Sequence, residues 1–165
     1  MFEVGEHIIH PGQGVCTVTG FKDGNPPMMI LEAKKGHSHT RLLYPVSQSE
    51  KLHPAISSHD AEHVLSCYAT LECDPFTERN SSLEETYFKQ RLKLGAPETI
   101  RVAKTMRHRI HEAQLRDKKP SSYYQRILKE AHRRSVEEIA VALNISEEEA
   151  EQRITTVIDQ SSSVN

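Results

Sequence analysis

The chain has 165 residues, a formal net charge of −2, 36% hydrophobic residues and no tryptophan. This length allows one domain or two small ones, and the low aromatic content favours small cores. Glu3 and Glu6 interrupt the N-terminal segment, and no stretch reaches the roughly 20 apolar residues of a membrane helix, so we expect neither a signal peptide nor a membrane contact. Three cysteines without a framework spacing favour a reducing compartment, and we expect a cytoplasmic protein.

Residues 1–52 show the pattern of short β-strands. Four apolar or alternating runs are separated by turn sequences rich in glycine and proline, such as Pro11–Gly14. Several short strands in so short a segment predict a small, strongly bent sheet or barrel. The predicted strands are EHIIH, VCTVTGF, MMILEA and TRLLYPV.

From about residue 57 the apolar spacing becomes helical, and we expect an all-α region of about five helices. Ser81 and Ser82 each precede a glutamate by three residues, as in a capping box. The predicted helices run from Ser57 or Ser58 to about Leu71, from near Leu83 to Gly95, onward from Pro97, from Pro120 to about Leu143, and from Ser146. The apolar face of the third helix contains Thr99, Ala103, Met106, Ile110 and Ala113, and its opposite face contains Arg101, Lys104 and His108.

Charge is segregated along the chain. Residues 89–134 carry fourteen basic and four acidic side chains, whereas 57–88 and 135–165 each carry one basic and seven acidic side chains. A basic block between acidic segments indicates a surface that faces a polyanion. The alternative is a solvated helical face, and charge alone does not separate the two interpretations.

Residues 136–154 have the spacing of a helix-turn-helix motif. The second helix of the pair, however, begins with Glu147, Glu148 and Glu149 and adds Glu151. Carboxylates repel phosphates, so we interpret this corner as a packing element and not as a DNA-reading helix.

Four residues have side chains that could bind zinc: His59, His63 and Cys67 at helical spacing, and Cys73 beyond them. The alternative is that both histidines face solvent while Cys67 packs as a small apolar side chain. Motifs for nucleophilic catalysis or nucleotide binding are absent from the sequence. We therefore expect no enzyme activity, no cofactor and no small-molecule substrate.

Two segments of the β region resemble a known family. The stretch FEVGEHIIHPGQGVCTVTGF is similar to the start of the CarD family of bacterial transcription regulators, and equally to the RNA polymerase-interacting module of transcription-repair coupling factors. LLYPVSQSEKL, residues 42–52, is similar to the last strand of that module. The shared pattern consists of Val4, Gly5, Glu6, Ile8, Ile9, His10, Pro11, Gly14 and Val15.

A weaker resemblance extends over the helical region. LKLGAPETIRVAKTMRHR is similar to a turn and an amphipathic helix of the CarD family, and the segment from PSSYYQRI to EEEAEQRI is similar to its closing helices. The chain is far too short for the translocase of a coupling factor, so the resemblance is to the stand-alone CarD type.

The resemblance implies an α+β fold in two domains. A Tudor-like β domain, residues 1–55, would bind the β subunit of RNA polymerase. A helical domain, residues 56–165, would touch promoter DNA at the upstream edge of the melted region. Such a protein stabilises the open complex because it binds that state better than the closed one. The Pro11–Gly14 turn would close a hairpin in a sheet whose exposed edge pairs with the polymerase.

The expected polymerase contacts are Arg41, Leu42 and Leu43 on the last long strand. Arg41 could pair with a carboxylate of the partner. Because side chains alternate along a strand, at most one of the two leucines is available to that partner.

The DNA contact departs from the family pattern. Leu83 falls where family members place a tryptophan that wedges into the minor groove, and it could act as an apolar wedge or pack inward. Glu84 and Glu85 replace basic residues and would repel phosphate. Two alternatives follow: a polymerase-binding adaptor without DNA contact, or a zinc-binding protein. The residues expected to attract the DNA backbone are Lys89, Lys93, Arg101, Lys104 and Arg126.

Overall fold

The computed structural model describes residues 1–162. The chain divides into two compact units, Met1–Ala55 and Ile56–Asn165. The first contains an antiparallel sheet and the second is helical, which confirms the predicted α+β fold class.

The first unit contains a five-stranded antiparallel sheet with the order β4-β3-β2-β1-β5. A short 3-10 helix, Val46–Lys51, connects the last two strands. The four long strands match the four predicted runs, and the two-residue fifth strand was not predicted. The strands are β1 His7–His10, β2 Gly14–Lys22, β3 Met28–Lys35, β4 Ser38–Pro45 and β5 His53–Pro54.

The predicted hairpin is present between β1 and β2, where His10 lies opposite Gly14. Gly14 has a φ of 76°, a value that favours glycine. The Nδ1 atom of His10 accepts the backbone N–H groups of Gly12 and Gln13, each at 3.1 Å. The histidine that ends β1 therefore also stabilises the turn that follows it.

One face of the sheet forms the core of the first unit. Alternate residues of the strands lie on this face, and the buried ones are at most 4% exposed. The buried members are Ile8, Cys16, Val18, Met29, Leu31, Ala33 and Leu52.

The second unit contains five α-helices within residues 1–162. A 3-10 helix, Tyr68–Thr70, follows the first of them. In this part of the chain no helix has the length and apolar character needed to cross a membrane. The helices are α1 Ser58–Ser66, α2 Ser81–Leu92, α3 Glu98–Leu115, α4 Tyr123–Leu143 and α5 Glu147–Ser162.

The helical unit has two apolar clusters, and α4 contributes to both. The first packs α1 and α5 against the C-terminal half of α4, around Ile139. The second packs α2 and α3 against the N-terminal half of α4, around Phe88 and Met106. The predicted apolar face of α3 is confirmed at Thr99, Ala103, Met106 and Ile110, which are at most 9% exposed, whereas Ala113 is half-buried.

Several predicted helix boundaries were wrong by a few residues. The first helix ends at Ser66, not near Leu71, and a 3-10 turn replaces its last part. The cap of α2 is Asn80, whose side chain accepts the N–H of Ser82 at 2.9 Å. The predicted capping box at Ser81 or Ser82 is therefore wrong, and Glu84 is buried instead of serving as part of a cap. The fourth helix begins at Tyr123 rather than Pro120.

The corner between α4 and α5 is the predicted packing element. Asn144 adopts the left-handed conformation with a φ of 53° and ends α4. The Ser146 hydroxyl accepts the N–H of Glu149 at 3.1 Å, as predicted for a cap. Ala150 and Ile154 of α5 are buried in the first cluster.

Glu138 is a buried carboxylate on α4 that joins two distant segments of the helical unit. Its side chain accepts the N–H of Ile56 and the N–H of Ala96, each at 2.7 Å. The residue is 2% exposed, and this burial raises the pKa of the carboxyl although both hydrogen bonds lower it. The start of the unit and the turn before α3 are thus fixed to the same helix.

We expect Glu138→Gln to destabilise the protein by about 1–3 kcal/mol, because the new amide group would direct a donor at a backbone donor. Urea unfolding of the full chain measures this change, with the exposed Glu148→Gln on α5 as the control. Equal unfolding midpoints for the two variants would contradict the assignment.

Candidate functional site

The strand β4 forms one edge of the sheet. It pairs with β3 along its whole length, and no other strand within residues 1–162 pairs with its second side. Edge strands of this kind present unpaired backbone groups to a partner. Pro45 ends the strand, and its missing N–H is tolerated at an edge.

The register identifies the backbone groups of β4 that point outward. Val46 donates its N–H to the carbonyl of Pro27 at 3.1 Å, which makes this a hydrogen-bonded pair. Bonded and non-bonded pairs alternate in an antiparallel ladder. The pairs Glu32 with Arg41 and Ile30 with Leu43 are therefore non-bonded, and the N–H and C=O groups of Arg41 and Leu43 point to the open edge.

The structure distinguishes the three expected polymerase contacts. Leu42 packs against the core of the first unit. Arg41 is exposed, and Leu43 is 51% exposed. Arg41 and Leu43 lie on the same face of β4 and on its outward-pointing backbone positions, so one cation and one apolar side chain flank the unpaired groups.

Leu83 lies in the first turn of α2 and is 57% exposed. The inward packing considered from the sequence is therefore wrong for this residue. An exposed leucine at a helix tip has the chemistry of an apolar wedge, although it lacks an aromatic ring.

A buried polar network holds the first turn of α2 in place. Glu84 is 6% exposed and binds the guanidinium of Arg109 at 3.0 Å and the hydroxyl of Tyr123. It also accepts the N–H of Glu78 at 2.8 Å. The prediction that Glu84 repels phosphate at the surface is therefore wrong, because its charge is buried and paired inside the unit.

Arg109 extends this network to the loop before α2. Its guanidinium donates to the carbonyls of Asp74 and Phe76 and lies 5.0 Å from the ring centroid of Phe88. The loop and the helix tip are thus fixed to α3 through one side chain.

Two of the expected DNA-binding cations share one carboxylate. Arg126 binds Glu85 at 3.0 Å, and Lys89 lies 3.6 Å from the same side chain. The hydrogen bonds from Arg126 lower the pKa of the Glu85 carboxyl. The Glu85–Lys89 spacing is the i, i+4 spacing of helical ion pairs, so this contact could have been predicted from the sequence.

Two further cations are engaged with the backbone of the helical unit. Lys104 donates to the carbonyls of Tyr68 and Leu71 at 2.6 and 2.7 Å. Arg101 donates to the carbonyl of Glu72 at 2.9 Å. Lys93 is exposed and has no ion pair with any residue from 1 to 162.

The zinc candidates do not form a metal site. The Nε2 atom of His63 lies 3.9 Å from the Sγ atom of Cys67. Across residues 1–162, no group of three or more His, Cys, Asp or Glu side chains could hold a metal ion. The zinc-binding alternative, which required a site shared by His59, His63, Cys67 and Cys73, is therefore wrong.

The first unit is a small antiparallel sheet whose β4 edge bears one cation and one apolar side chain. Residues 2–56 match the sequence model of the CarD-like/TRCF RID domain, in which RID denotes the RNA polymerase-interacting domain. The first unit is thus similar to the CarD-like RNA polymerase-interacting domains, which is the resemblance that its residues predicted. The match ends where the helical unit begins, and no curated protein matches the chain.

We expect Lys104→Met to destabilise the protein by about 2 kcal/mol, because the carbonyls of Tyr68 and Leu71 lose a charged donor. Lys93→Met removes the same charge from an exposed position and should leave stability unchanged. Urea unfolding compares the two variants. An unaltered midpoint for Lys104→Met would show that its ammonium group does not hold the 3-10 turn.

Proposed function

We propose that the protein is a bacterial, cytoplasmic transcription regulator that binds the β subunit of RNA polymerase by strand addition at β4. The observation that carries the proposal is the open edge at Arg41 and Leu43 in a domain that matches the polymerase-interacting family. In strand addition, backbone hydrogen bonds provide affinity and the flanking side chains provide specificity. No catalytic step is part of this function.

A second proposal concerns promoter DNA. The exposed Leu83 at a fixed helix tip favours a wedge that stabilises the open complex. The ion pairs of Lys89 and Arg126 with Glu85 reduce the net positive charge beside it. The two cationic side chains are more than 60% exposed, so phosphates can compete for them at low salt, but Glu85 is 13% exposed and its loss of both partners opposes this exchange. Without this contact, the chain is a polymerase-binding adaptor.

For the polymerase contact, we expect Arg41→Glu to weaken binding of the full chain to core RNA polymerase at least about tenfold. The reversed charge would face a carboxylate of the partner. Surface-immobilised polymerase and the purified variants provide the measurement. Lys22→Glu, at the end of β2 and outside the edge, is the matched charge control. Equal weakening by both variants would indicate a general charge effect.

Two substitutions of Leu43 test whether backbone hydrogen bonds of β4 contribute to polymerase binding. Leu43→Ala removes the side chain and keeps the outward N–H, whereas Leu43→Pro also removes that donor. Neither change removes a β3–β4 hydrogen bond, because this pair is non-bonded. We expect the proline variant to bind polymerase roughly fivefold more weakly than the alanine variant. Identical affinities would exclude strand addition at this position.

For the promoter contact, we expect Leu83→Glu to shorten the lifetime of polymerase–promoter open complexes about tenfold, because a carboxylate cannot enter the stacked bases. Leu115→Glu is the matched control, since Leu115 is an exposed leucine of the same unit, at 68%. If Leu83→Glu behaves as the control while Arg41→Glu still reduces polymerase binding, the chain acts as an adaptor.

A further inference from the structure

A cavity of about 470 Å³ lies within the helical unit, between the C-terminal end of α3 and the start of α4. Its volume lies within the range of small-molecule binding sites. All of its lining residues belong to the helical unit, and the proposed polymerase contact does not use them. Its walls include His108, Glu112, Arg116, Lys118, Lys119 and Tyr124.

The floor of the cavity contains one cationic and one anionic side chain, which pair with each other. Glu84 and Arg109 line it, and they bind each other at 3.0 Å. The Nη2 atom of Arg109 donates to the carbonyls of Asp74 and Phe76. The floor therefore provides a rigid, satisfied surface rather than a free charge.

The rim carries an excess of positive charge. The exposed cations Arg116, Lys118 and Lys119 line the cavity together with one carboxylate outside the floor, Glu112. Arg116 lies 3.9 Å from Glu112, with 71% and 40% of the two side chains exposed, so this ion pair is weak. Neither lysine has an ion pair with any residue from 1 to 162.

The turn after α3 places these lysines at the rim. Asp117 has a φ of 52°, which reverses the chain, and the N–H of Lys118 returns to the carbonyl of Ala113 at 2.8 Å. Ser121, just before α4, also lines the cavity. The positive end of the α4 dipole thus lies on the same side as the lysines.

We propose that this cavity binds a small phosphorylated ligand with two or more phosphate groups. Two unpaired ammonium groups and an exposed guanidinium match several negative charges at short spacing. Tyr124, which is half-buried in the wall, offers a ring face or a hydroxyl to the rest of the ligand. The cavity is a depression that is open to solvent. We favour a small molecule because the three exposed cations lie within four residues of one turn, and a DNA backbone contact is the alternative outcome of the test.

The test is a calorimetric titration of the full chain with inorganic tripolyphosphate at about 0.15 M ionic strength, where non-specific attraction is screened. We expect saturable binding that weakens at least tenfold in the double variant Lys118→Ala/Lys119→Ala. The matched control is Lys93→Ala/Lys129→Ala, which removes two exposed lysines of the same unit outside the cavity. Urea unfolding shows whether each variant retains its fold.

Saturable binding that the cavity variant loses and the control keeps would support the site. Absence of saturable binding, or equal weakening by both variants, would overturn it. A third measurement adds a short DNA duplex as a competitor of tripolyphosphate. If the duplex displaces tripolyphosphate and the cavity variant also loses duplex binding, the lysines contact a DNA backbone and the small-ligand proposal is wrong. None of these results depends on the polymerase contact.

Discussion

The main physical constraint on the β unit is a row of backbone groups at the β4 edge that have no partner strand within residues 1–162. The backbone N–H and C=O groups of Arg41 and Leu43 point away from β3, and within residues 1–162 no strand covers them. Water or a partner strand must satisfy these groups. Side chains also alternate along β4, so Leu42 packs on the core while Arg41 and Leu43 lie exposed beside the open edge.

Many charged side chains of the helical unit bind partners within the unit instead of remaining unpaired at its surface. Arg109, Glu84 and Tyr123 fix the tip of α2, and Lys104 holds the turn after α1. A strongly basic segment of sequence therefore does not become an equally basic surface. Exposed cations remain beside Glu85 on α2, at the rim of the cavity, and at other positions such as Lys93 and Lys129.

The sequence predicted those features that depend on local periodicity and turn chemistry. Alternation in β1–β4, the Gly14 turn, the apolar face of α3 and the Ser146 cap are all local, and they are confirmed. The inward rotation of Glu84, the engagement of Lys104 and the buried Glu138 depend on residues 25 or more positions away. Such pairings come from tertiary packing, which residue spacing does not encode. The four zinc candidates show the same limit, since helical spacing brought His63 and Cys67 together but not the other two.

The central claim is that polymerase pairs with the open edge of β4. Amide hydrogen exchange of the full chain, with and without core RNA polymerase, tests it directly because exchange reports the hydrogen bonding of individual backbone segments. The account predicts that polymerase slows exchange in the segment containing Arg41 and Leu43. Unchanged exchange throughout β4, together with protection confined to the helical unit, would contradict it.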